Sequence, residues 1–237
     1  MTSNTLAPGA PGQSKVSGFD RSAAVTRSLL GYGVIAGPFY LVVALGQAFV
    51  RDGFDLTRHP LSLLANGPGG WVQTVNFVVT GAMVVAAAVG IGRGLGARAT
   101  SWALGCFGVA MIAAAGFPAD PVDGFPIGTP EGMPTSITTT GLLHFVSGAF
   151  GFFSLAVSGF LAARALSRRG ASRLAWYSAA SGAAVAIGFF GGPVFGSASA
   201  MVFAIWFSVL AGWTWLAILS IHLYRAAPDP NCAPGAV

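Results

Sequence analysis

The sequence predicts an all-α, polytopic integral membrane protein: a bundle of six transmembrane helices with both termini in the cytoplasm. Three observations carry the prediction. Only 8% of the 237 residues are charged and 54% are hydrophobic, with a mean hydropathy of +0.71. The apolar residues fall into six runs of near membrane-spanning length. The basic residues gather on one side of those runs.

A soluble domain of this size carries about 25% charged residues. So few charges cannot cover a water-facing surface, and the apolar side chains must face lipid or one another. The 34 glycines fit close helix packing in a bilayer. The net charge of +5 raises nucleic-acid binding as an option. The bases sit in short loops between apolar runs, however, where they set topology, so no nucleic-acid partner is expected. Cys106 lies inside an apolar run and Cys232 in the C-terminal tail. They belong at different levels of the membrane, and no disulfide is expected.

A crossing helix needs about 20 apolar residues. The runs are Leu29–Val50, Trp71–Gly92, Ser101–Phe117, Thr140–Ala163, Leu174–Gly192 and Ser199–Tyr224. They are too long for strands and show no alternation. The third and fifth are short and lean on their neighbours. Residues 1–27 and 226–237 read as disordered cytoplasmic tails, leaving 28–225 as the transmembrane domain. The first tail holds no apolar stretch of the kind a signal peptide needs.

The loops set the orientation. Lys15, Arg21, Arg27, Arg93, Arg98, Arg164, Arg168, Arg169, Arg173 and Arg225 fall on one side. The other side has only Arg51 and Arg58, yet holds Asp52, Asp55, Asp120, Asp123 and Glu131. The positive-inside rule makes the basic side cytoplasmic, in the cell membrane. Trp71, Trp102, Trp176 and Tyr224 fall near span ends and are expected as interfacial anchors. Gly37-Pro38 marks a kink in the first span. Ser178, Gly182 and Ala186 form a small-residue packing face on the fifth.

The second and third spans can be laid over the fourth and fifth. Asn76-Phe77-Val78 matches His144-Phe145-Val146, and each pair of spans resumes at a Trp (Trp102, Trp176) and ends at a Pro (Pro118, Pro193). This reads as a duplicated two-helix hairpin, with its pseudo-axis along the membrane normal.

Nearly all the unusual chemistry lies on the outer side. In the first outer loop, His59-Pro60 followed by LSLLANG reads as a short helix, with Pro at its start and Gly67 past its end. The second outer loop has five prolines between Pro118 and Pro134 and reads as a stiff, non-helical cap. Gln73, Asn76 and Thr80 share one helical face of the second span, and His144 and Ser147 begin a similar stripe on the fourth. Polar groups facing lipid are costly, so both stripes should face the bundle interior or a cavity. Gln47 is expected to join them.

The candidate lining of an outward-facing polar pocket is therefore Arg58, His59, Ser62, Gln73, Asn76, Asp120, Asp123 and His144. A purely structural role is weighed beside this, with Arg58 and Asp120 as an ion pair and His144 as an interhelical hydrogen-bond partner.

The run HPLSLLANGPGGWVQTVNF, the later AGFPADP and the following GLLHF resemble the bacterial and archaeal membrane family catalogued as domain of unknown function 998. The resemblance spans roughly residues 27 to 225. It implies a compact helical membrane domain and carries no assigned activity or catalytic residues. Membrane hydrolases related to alkaline ceramidases use Ser, Asp and three His around zinc. That arrangement fails here because His222 sits at the cytoplasmic end of the last span.

Other signatures are absent. There is no phosphate-binding loop, no dinucleotide fingerprint and no close-spaced metal motif. No lysine lies in a span for a retinal Schiff base, and no histidine pair is spaced for haem. No cofactor or metal is expected. The expected partners are membrane lipids and a small molecule, lipid headgroup or ion at the outer face. The leading reading is a transporter- or sensor-like binding protein. The alternatives are an outer-leaflet hydrolase using His59, His144 and Asp120, and a structural membrane partner. Transport coupled to protons usually needs acids deep in the membrane, and none is present. Oligomeric state stays open.

Overall fold

The computed structural model describes residues 19–132, 134–191 and 197–231. Lys15, the Gly192 end of the fifth span, Pro193, Cys232, most of the first expected tail and half of the second lie outside the described residues. Among the described residues there are six α-helices: α1 Arg21–Val50, α2 Trp71–Leu95, α3 Arg98–Gly116, α4 Thr139–Arg168, α5 Ser172–Phe190 and α6 Ala198–Ala226. Five of them, all but α5, are long and apolar enough to cross a membrane. The chain is an all-α membrane protein with no strand among the described residues. α5 falls short of that hydropathy because its 19 residues include Arg173 and three serines.

The helices match the apolar runs closely at the ends that carry the two long loops and outrun several of them at the basic ends. α1 begins at Arg21, well before Leu29, so residues 21–27 are helical where the sequence reading put them in a tail. The cause is local. The Asp20 carboxylate accepts the backbone N–H groups of Ser22 and Ala23 at 2.8 and 3.1 Å, which caps the first turn. Apolarity marks where lipid begins, not where a helix begins. The start of the C-terminal tail is also held. Pro230 O accepts the Asp20 N–H at 2.8 Å, Ala227 O accepts from Arg27 at 3.2 Å, and the Arg27 guanidinium lies 5.0 Å above the Tyr224 ring.

Each helix packs on its neighbour in sequence, and α6 closes the ring against α1. Glycine lets two pairs come to backbone contact. A Cβ on Gly81 would stand 2.6 Å from Gly108 O, joining α2 to α3. One on Gly159 would stand 3.0 Å from the Gly182 Cα, joining α4 to α5. The expected small-residue face on α5 is thus a true crossing point, with Ser178 buried beside Gly182. Gly108 and Gly182 occupy the same register in two helices of 19 residues, as do Trp102 and Trp176. Trp71, Trp102, Trp176 and Tyr224 are all exposed, as anchors need to be. In α1, Pro38 lies inside the helix, and Gly37 before it admits Trp213 of α6, whose Cβ would be 2.7 Å from a Gly37 Cβ.

Gly81→Val should lower the melting temperature of the detergent-solubilised protein, because the new side chain meets backbone that cannot yield; overpacking of this kind costs about 1–3 kcal/mol. Gly46→Ala, at a site with no atom within 4 Å of the added Cβ, should leave it unchanged or raise it. Equal effects of the two would contradict the packing at α2–α3.

Candidate functional site

The two long loops, residues 51–70 between α1 and α2 and residues 117–138 between α3 and α4, fold onto each other before they form any pocket. Residues Leu61–Ala65 make a short 3-10 helix after Pro60, with Leu61, Leu63 and Leu64 buried and Gly67 at φ 69° beyond it. His59 bridges the loops. The Asp55 N–H donates to its Nδ1 at 2.9 Å. That makes Nε2 the protonated nitrogen, which donates to Asp123 O at 3.0 Å. The ring lies between Phe54 and Phe125, with centroids at 5.3 and 5.6 Å, and is 1% exposed. Both nitrogens are used, so His59 has no lone pair to act as a base or bind a metal. The expectation that it lines a pocket is corrected: tilted packing between the two phenylalanine rings buries it in the loop core.

Arg58 lies outside that core. Its Nε and Nη2 donate to the two carboxylate oxygens of Asp123 at 2.9 and 2.8 Å, and Nη2 also meets Glu131. The expected Arg58–Asp120 pair is therefore replaced by a bidentate pair with Asp123. The Arg58 guanidinium holds the Asp123 carboxyl at about 2, below its ordinary 3.8, and the Gly132 N–H adds to this. The same contacts push the Arg58 pKa up. Asp123 reaches both partners because its backbone turns at φ 54°, followed by Gly124 at 89°. A further clasp comes from Arg51, which donates to Leu64 O and Asn66 O at 3.2 and 2.6 Å. Asn66 Nδ2 donates to Ala119 O at 2.9 Å, and Trp206 of α6 donates to Leu56 O at 3.1 Å.

Asp120 caps α4. Its carboxylate accepts from the Thr138 N–H at 3.0 Å and from the Thr138 hydroxyl at 2.5 Å. Gly141 leaves room for it, since a Cβ there would collide with the carboxylate. One turn further, His144 Nδ1 donates to Phe117 O at 2.7 Å, tying α4 to the end of α3. In the neutral ring Nε2 is then the nitrogen without a proton.

Gln73 and Asn76 turn inward, as polar groups in a membrane helix should, but they join α1 rather than a pocket. Gln47 Nε2 and Asn76 Nδ2 both donate to Gln73 Oε1, at 2.9 and 3.1 Å. Asn76 also donates to Tyr40 O at 3.1 Å and accepts from Thr80 at 3.1 Å. Gln73 and Asn76 are 0% and 1% exposed.

Beneath the loops lies a cavity of about 480 Å³, within the ~300–1,000 Å³ usual for ligand pockets. Arg58, Ser62, Asp120, Asp123 and His144 line it, so five of the eight expected residues come together. His59, Gln73 and Asn76 do not. The wall is otherwise mostly apolar, with Phe107, Met111, Phe152, Phe189, Ile205 and Trp206 prominent. The expected polar pocket is thus an apolar one with a polar rim. A smaller void of about 60 Å³ shares part of its wall, including Phe107, Met111 and Phe152, and adds Leu155 and Trp213.

Helix lengths explain the space. α4 has 30 residues and α5 has 19. A tight turn at residues 169–171 levels their basic ends, so at 1.5 Å per residue α4 rises about 16 Å further on the loop side. The aromatic wall escaped sequence reading because a Phe in an apolar run looks the same whether it faces lipid or a cavity. Trp206 carried a faint signal, since its indole N–H needs a partner.

No hydrogen bond joins any two of His59, Asp120 and His144 among the described residues, and no three His, Cys, Asp or Glu side chains there gather as a metal would need. A family model described as Protein of unknown function (DUF998) matches residues 34–222. No curated protein and no solved structure matches the chain.

The Arg58–Asp123 pair has a pH signature. Asp123 has a lower pKa folded than unfolded, so its contribution is full above about pH 4 and is lost as pH falls towards 2. The melting temperature should drop across that window. Arg58→Gln should lower it at pH 5 and flatten its pH dependence; an unchanged slope would separate the pair from stability.

Proposed function

We propose, from the premise that this chain belongs to the DUF998 family and from the cavity beneath its outer loops, that it binds the apolar chain of an amphiphile at the outer face of the cell membrane. The observation that carries the reading is the cavity itself, about 480 Å³ with an apolar wall and a polar rim. An apolar wall loses nothing by holding a hydrocarbon chain, while the rim offers partners to a headgroup. A small polar solute or a bare ion would leave the aromatic wall unmatched.

In this reading all six helices span the membrane, α5 shielded by α4 and α6, and both termini are cytoplasmic. The charge bias of the loops supports that orientation. The shared register of the α3 and α5 glycines and tryptophans supports descent from a duplicated hairpin. Binding of this kind serves a carrier or a sensor.

The test uses a dodecyl chain brominated at mid-length, added to the purified protein in nanodiscs. Bromine in the cavity should quench Trp206 saturably. Gly148→Leu should weaken that quenching by at least about tenfold, because the new side chain fills the cavity. Gly148 lines the cavity and has only Phe189 near its missing Cβ, at 3.9 Å, so the helix tolerates the change. Quenching that is unsaturable, or equal in the variant, would mean contact with surrounding lipid and would overturn the reading. Orientation is checked separately in a variant lacking Cys106 and Cys232. A single cysteine at Ser136 should react with an impermeant maleimide on intact cells, and one at Arg98 should not.

A further inference from the structure

We infer that the headgroup accepted at the rim is a hydrogen-bond donor, an amine or a polyol, and not a phosphate or carboxylate. The inference rests on the amphiphile reading and adds the chemistry of its polar end.

It follows from an inventory of the rim's donors and acceptors. Arg58 is the one cation lining the cavity among the described residues. Its guanidinium is already engaged by Asp123 through two bonds at 2.9 and 2.8 Å, and by Glu131. Only Nη1 stays clear of those bonds, and an anionic headgroup that approached it would sit beside Asp123 and Glu131, which already balance the guanidinium charge. The rim otherwise offers lone pairs. His144 has given its Nδ1 proton to Phe117 O, so neutral His144 offers Nε2 as an acceptor. Asp120 accepts two bonds from Thr138, and each carboxylate oxygen keeps a further lone pair. Both side chains line the same cavity. They meet there from separate elements, the second outer loop and α4. Set against an apolar wall, these acceptors match ammonium or hydroxyl groups, and a charge-assisted bond to Asp120 favours the ammonium. A phosphate would face Asp120 and Asp123 with no unpaired cation on the described wall, and like charges there repel.

The experiment compares three probes on the full chain in nanodiscs, at about pH 8 so that an ordinary imidazole is neutral. All share the mid-brominated dodecyl chain; one ends in an amine, one in glycerol and one in phosphate. The amine and glycerol probes should quench Trp206 at concentrations at least about tenfold below the phosphate probe. Asp120→Asn, which keeps an acceptor for Thr138, should erase most of the amine's advantage over glycerol. Equal binding of all three probes, or tighter binding of phosphate, would overturn the inference and leave the amphiphile reading standing. Saturable quenching by none would remove both. The wild-type comparison decides the matter even if the variant fails to fold.

Discussion

The loop end of the bundle, where residues 51–70 and 117–138 meet, depends on the His59 imidazole. Two loops that lack regular structure over most of their length must be held together over a membrane bundle. One ring does much of this by taking an N–H from its own loop and giving one to Asp123 of the other. Packed between the tilted rings of Phe54 and Phe125, it is excluded from water, so each hydrogen bond counts for more and an unmade one costs more. The second loop is thereby fixed over the first. Asp123 then meets Arg58, and Asp120 reaches the first turn of α4. The rim of the cavity is a consequence of that seating.

The cavity has a second origin in the helices. Gly81 with Gly108, and Gly159 with Gly182, draw two hairpins to backbone contact. Close packing there leaves no void. Above the α4–α5 crossing, α5 soon ends and α4 continues, so the bundle cannot stay filled by helices alone. The second loop and α6 roof the space without filling it. A stiff, proline-rich loop suits that task, since a flexible one would collapse into the apolar hollow.

The fold was legible because lipid imposes a coarse rule: apolar runs of sufficient length become helices. Helix ends were less so, because Asp20 and the arginines extend helices past the apolar limit. At the site, residue types could be read and partners could not. Asp120 and Asp123 look alike in sequence as partners for Arg58. A left-handed turn at Asp123 decides between them, and nothing in the spacing foretells it. Gln73 and Asn76 were expected to turn inward and His59 to line a pocket, yet a membrane protein spends such residues on joining its own parts as readily as on a ligand. The aromatic wall left no periodic trace.

The charge pattern that sets topology also shapes the rim. Under the proposed orientation, bases are drawn to the cytoplasmic ends, leaving Arg51 and Arg58 outside. Both are consumed in holding the loops, Arg51 by two carbonyls and the Phe125 ring, Arg58 by two acids. The acids on that side outnumber them. An outward cavity built under this bias is left rich in acceptors and poor in free cations, whatever it was selected to hold. A preference for donor headgroups thus grows from the same asymmetry that orients the chain. Recognition of an anion would have required a third base on the side where the membrane disfavours none but insertion retains few.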